Sequence, residues 1–148
     1  MDQKPDFFYS DYQISNSLEL CKKSIPILEN ILFDIKNNLI SLLDEKGGLT
    51  SSILEKEQFL THGFAWIATY VESLNQLASW AERLQRKNKF NLAESLILQI
   101  GFAEYIAQIK GGIQMSQSET IRSEEMSQPI LLLISQPITM ATWIAPIS

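Results

Sequence analysis

Apolar residues recur along this chain at spacings of three and four, in segments long enough to be helices. Leu18, Cys21, Ile25, Leu28, Leu32, Ile35, Leu39 and Leu42 alternate those spacings without a break. They therefore fall on one stripe of a helix running from about Ser17 to Glu45. Ser15 or Asn16 can cap its start, because a short polar side chain accepts a hydrogen bond from a free amide of the first turn. Gly47 and Gly48 end it, since glycine tolerates the left-handed conformation that closes a helix. Pro26 has no amide donor and predicts a kink, or a true start near Ser24.

Ser52 and Glu55 have the spacing of a capping box and open a second helix that continues to about Arg86. Its first stripe is Leu60, Phe64, Ile67, Val71, Leu74, Ala78 and Ala81, a core face. His62, Trp66, Tyr70, Ser73, Leu77, Trp80 and Leu84 repeat at the same spacings on another side, and Glu72, Gln76, Ser79 and Arg83 form the wet side. A helix with two apolar sides is central in a bundle or docks onto a further partner. Glu82 and Arg86 stand four apart in the favourable order for an intrahelical pair.

A third helix starts at Asn91, with Glu94 completing a second capping box, and runs to Lys110 before Gly111-Gly112. Leu96, Ile100, Ala103 and Ala107 form one apolar row; Leu98, Phe102, Tyr105 and Ile109 form another. Gly101 lets a neighbouring helix approach, at about 1 kcal/mol of helix propensity relative to alanine. No stretch alternates convincingly as a strand. The pattern predicts an all-α fold: an antiparallel bundle of three to four long helices with an irregular apolar C-terminal tail. The expected organisation is an N-terminal arm over 1–15, the bundle over 16–112, a polar linker or short helix over 113–125, and a charge-free tail over 126–148. Ser116 with Glu119 is the expected cap of any short helix in that linker.

With 148 residues the chain is about one domain. Charged residues make up 20% of it, yet none lies between Met126 and Ser148. Pro129, Pro137 and Pro146 interrupt that tail, so it makes a poor membrane span. The net charge of −5 disfavours nucleic acid, whose phosphates need a basic face. Cys21 is alone, so an internal disulfide is impossible, and its place on the core stripe favours packing over reactivity. The acidic start "MDQKPDFFYSDY" lacks the apolar run of a secretion signal, so the expected location is cytoplasmic.

Candidate chemistry is sparse. His62 is the only imidazole, and a Cys-His or Ser-His device would have to be built around it. The better reading is a hydrogen-bonded histidine at an interface. Glu72, Glu82, Glu94 and Glu104 lack the Glu-x-x-His pairs of a bundle metal site. Glu104, among apolar neighbours, reads as a buried, partnered carboxylate before a general base. The glycine pairs belong to no phosphate-cradling motif. No residue is therefore assigned to a catalytic, cofactor-binding or metal site. The Trp and Tyr set is core or contact surface before cofactor box.

The stretches "HGFAWIATYVESLNQLASWAERL" and "ESLILQIGFAEYIAQIKGGIQMSQSETIR" resemble the amino-terminal helical extension of a bacterial subgroup of acyl-CoA dehydrogenases, the methylsuccinyl-CoA dehydrogenase-like subgroup. The similarity is close over about 50 to 122 and looser over the first helix. It implies a family of FAD-dependent oxidoreductases that carry out α,β-dehydrogenation of acyl-CoA thioesters, with hydride transfer to flavin. It also implies that the flavin, the acyl-CoA pocket and the base lie in a core that follows the extension, beyond what these residues match. The expected function is thus a fragment inactive alone, with FAD only in full-length relatives. From around Ser123 the likeness stops, and the charge-free tail fits a truncated or frame-shifted end; a weak anchor is the alternative. Trp66, Tyr70, Leu77 and Trp80 are the expected docking surface for a dehydrogenase core or a second copy, since large aromatics carry most contact energy. A stand-alone helical interaction module is the alternative, and a membrane tether through the tail a third.

Overall fold

The computed structural model describes residues 11–114, 116, 119–122 and 126, with side chains from Asn16 onward. The tail expected over 127–148 and the first ten residues of the arm lie outside the described residues. Among the described residues four helices follow in order: α1 (Asp11–Glu45), α2 (Ser51–Lys56), α3 (Gln58–Arg86) and α4 (Leu92–Gly111). Two short strands, β1 (Ile113–Gln114) and β2 (Thr120–Ile121), come after them.

The all-α bundle is what the sequence predicts. Side-chain pairs fix the helix directions. Lys22 meets Glu82 and Glu29 meets Asn75, so α1 and α3 run antiparallel. Tyr70 meets Gln108 while Leu77 lies against Gly101, so α3 and α4 run antiparallel too. The core is one cluster shared by the three long helices. Leu18, Cys21, Leu28, Ile31 and Ile35 come from α1; Ile67, Val71, Leu74, Ala78 and Ala81 from α3; Leu98, Phe102 and Ile109 from α4. A fully buried side chain the size of Leu98 or Phe102 contributes about 1.5–3 kcal/mol, so this cluster is the main source of stability.

Helix ends follow a local code. Gly47, at φ +115°, donates to Asp44 O at 3.1 Å, and Gly48 donates to Leu43 O at 2.9 Å. These two bonds are a Schellman motif, as the glycine pair predicts. The end of α3 repeats the motif without glycine. Asn88 takes φ +54° and donates to Gln85 O at 3.0 Å, while Lys89 donates to Leu84 O at 2.9 Å. At the start of α4, Glu94 Oε2 accepts from the Asn91 amide at 2.9 Å within the capping box.

Several expectations are corrected. α1 begins at Asp11, so positions Ser15 and Asn16 lie inside it and not at its start. Pro26 does not interrupt it; it sits on the exposed face, where the carbonyl left without a donor is open to water. The second helix is two: Glu57 leaves helical geometry at φ −99°, ψ 27°, and the N-cap of α2 is Thr50, not Ser52. The Lys46 ammonium pairs with Glu57 at this break and ties the end of α1 to the entry of α3. Over 113–122 the chain forms an antiparallel pair, with Ile113 opposite Ile121 and Gln114 opposite Thr120. Ser116 and Glu119 do interact, through Ser116 N–H to Glu119 O at 3.2 Å, but they close the hairpin and cap no helix. Two residues per strand are too few for alternation to show in the sequence.

Candidate functional site

The two apolar sides of α3 meet different fates. Ile67, Val71, Leu74, Ala78 and Ala81 are buried, as expected for the core stripe, with Leu60 and Phe64 packed at its edge. The aromatic side is largely covered by α4. Tyr70 stacks face to face on Tyr105, with centroids 4.5 Å apart and planes 5° from parallel. Its hydroxyl donates to Gln108 Oε1 at 2.8 Å. Burial raises the Tyr70 hydroxyl pKa, and Tyr105 adds to the shift. Leu77 and Trp80 are half-buried against the core. Toward the start of α3 the aromatic row emerges into solvent: Trp66 meets Tyr70 edge-on at 5.9 Å and is 39% exposed, and His62 stacks beyond it at 6.4 Å.

The candidate reactive groups are kept apart. Cys21 is fully buried on α1, where desolvation pushes its thiol well above the ordinary range. The antiparallel register that sets Lys22 beside Glu82 puts His62 some twenty residues along from Cys21, about 30 Å at 1.5 Å per residue. His62 is exposed, not held at an interface within this chain. Glu104 is exposed as well, because the turn of α4 carries it to the side away from Phe102. Glu72 accepts from Gln76 at 2.7 Å, and Glu94 caps α4. Glu82 pairs with Lys22 across helices instead of with Arg86. The Lys22 hydrogen bond holds the Glu82 carboxyl below its ordinary range, with the Lys22 and Arg86 charges assisting. Among the described residues no group of His, Cys, Asp and Glu could hold a metal ion.

Two features escape the periodicity. Ser17 and Ser95 are both buried and their hydroxyls are 2.9 Å apart, joining α1 to α4 through a polar contact inside the apolar cluster. Gln99 donates to the same Ser95 oxygen at 2.9 Å. Gly63 is also buried, on the side of α3 that faces β2. A serine between apolar positions reads as a polar interruption until its partner is known.

Among the described residues, close contacts fill the gaps between elements: Leu77 lies against Gly101, Ile121 against Gly63, and Tyr105 against Tyr70. The positive-φ glycines Gly47 and Gly48 lie at the C-terminal end of α1, where the dipole disfavours phosphate. Among the described residues no helix is long and apolar enough to cross a membrane.

The sequence, compared with known proteins, is homologous to part of an acyl-CoA dehydrogenase, an oxidoreductase. The relative is the (2S)-methylsuccinyl-CoA dehydrogenase of Cereibacter sphaeroides, 42% identical over 113 residues. That match takes in 76% of this chain but spans only 21% of the dehydrogenase. No protein-family model matches the chain.

Proposed function

We propose that this bundle is the structural equivalent of the helical extension of an FAD-dependent acyl-CoA dehydrogenase. In this reading it supplies shape and contact area, while the flavin, the thioester pocket and the proton-abstracting base belong to polypeptide outside the matched segment. The relative's name gives it dehydrogenation of (2S)-methylsuccinyl-CoA as its reaction. The observation that carries the reading is the size of the match: 42% identity over 113 residues that make up only 21% of the relative. The dispersal of Cys21, His62 and Glu104 over separate faces supports a non-catalytic role.

A chimera tests it. This chain's matched residues replace the corresponding segment of the C. sphaeroides dehydrogenase. The expected product is soluble, carries flavin absorbance and turns over. An insoluble or flavin-free chimera, made beside a native enzyme that loads normally, overturns the structural equivalence. Flavin bound by this chain alone overturns the non-catalytic role.

A further inference from the structure

α4 is built with two apolar faces, and among the described residues only one is covered. Leu98, Phe102 and Ile109 point into the core. Ala93, Ile97, Ile100, Glu104 and Ala107 repeat at four, three, four and three on the opposite side and are all exposed. Ile97 is 54% and Ile100 61% exposed, and Leu92 at the start of the helix is 36% exposed. The outer face of α3 is different: Glu72, Gln76, Ser79 and Arg83 are made for water. Only Glu104 interrupts the α4 stripe with charge.

We infer that the α4 stripe, and not the aromatic side of α3, is where the rest of the dehydrogenase polypeptide docks, an inference that rests on the function proposed above. The middle of the aromatic side is already occupied, since Tyr70 is spent on Tyr105 and Gln108 and Leu77 on Gly101, which leaves only His62 and Trp66 open toward the start of α3. The occupant follows from area and chain length. The exposed parts of Leu92, Ile97 and Ile100 amount to about 300 Å², taking roughly 100 Å² for each. A stable interface between free proteins needs about 800 Å² per partner, so the stripe is too small to hold a second copy. A covalently attached body acts at millimolar effective concentration, where a small contact suffices. In the relative, 79% of the chain (100% less the 21% matched) lies outside the match and is attached in that way.

Photo-crosslinking tests the face, because it captures contacts too weak to survive dilution. The full chain carries benzoylphenylalanine in place of Ile97, Trp66 or Gln76 and is mixed with the C. sphaeroides dehydrogenase lacking its matched segment. The same positions are probed in the chimera, which covers the case of a shortened enzyme that does not fold. The expected result is a crosslink to the dehydrogenase body from position 97, reduced at least five-fold by Ile100→Asp, with little from 66 and none from 76. Crosslinks from 66 but not 97, with a working chimera, overturn the face and leave the proposed function standing. Crosslinks from 97 only to residues 127–148 of the same chain, or only to a second copy, overturn the occupant. A failed chimera with no crosslink from any position overturns both.

Discussion

Gly63 on α3 and Ile121 on β2 interlock: a Cβ at Gly63 would lie 1.8 Å from Ile121 Cδ1 and 2.8 Å from its Cγ1. Ile121 is 1% exposed, so it has no free direction in which to yield. Gly63→Ala gains about 1 kcal/mol of helix propensity but loses the burial of Ile121, about 1.5–3 kcal/mol. A net loss of about 1–2 kcal/mol is expected in urea unfolding. Combining Gly63→Ala with Ile121→Ala should cost less than the two changes summed. Strict additivity in that cycle would contradict the interlock.

The Ser95 hydroxyl joins Ser17 and Gln99 inside the bundle. Ser95→Ala removes the acceptor of Gln99 and one partner of the buried Ser17, and weakening a buried polar contact costs about 1–3 kcal/mol. Thermal unfolding should show Ser95→Ala well below the parent, and Ser17→Ala/Ser95→Ala closer to the parent than the two single losses imply. A parent-like Ser95→Ala would show that the contact is dispensable.

Lys22 holds the Glu82 carboxyl below its ordinary value of 4.5. A carboxyl whose pKa is lowered on folding contributes stability above the unfolded value, and that contribution fades as pH falls through the folded one. The expected size is only a few tenths of a kcal/mol, because both side chains are substantially exposed and screened. Lys22→Met should therefore lower stability slightly at pH 7 and leave it unchanged near pH 2. The check is unfolding at both pH values, with added salt shrinking the pH 7 difference.

Cys21 is fully buried and its thiol resists ionisation. A thiolate reagent at pH 8 should react only as the bundle opens, at a rate that follows denaturant concentration. Rapid labelling of the native protein would place Cys21 outside the core.

Asn88 supplies the left-handed residue at the end of α3, a conformation that penalises a residue with a Cβ by about 1–2 kcal/mol. Asn88→Ala should destabilise by about 1 kcal/mol and Asn88→Gly should not, as measured by unfolding midpoints. Equal effects would remove the conformational explanation.

Much of this fold is legible in sequence, and the residues show why. The stripes of α1 and α3 fall where three-four spacing puts them, because packing selects one side of each rod. Gly47 and the Asn91–Glu94 pair mark their helix ends through bonds that close within a few residues. What escapes is set by distant partners. The break at Glu57 goes with Lys46 just past the end of α1, the hairpin needs a notch at Gly63, and Glu82 pairs with Lys22 and not with Arg86, its neighbour in sequence. The aromatic row of α3 is legible as an apolar side, but nothing local reveals that α4 covers most of it. Likewise the outward turn of Ile97 and Ile100 appears only when Phe102 is known to face inward.

Met126, at the far end of the described chain, lies in the same apolar cluster as Leu18. During synthesis the amino-terminal rod leaves the ribosome long before that methionine is translated. The cluster is complete only after Met126 has been made, so the nascent chain must stay soluble with part of α1 unsatisfied.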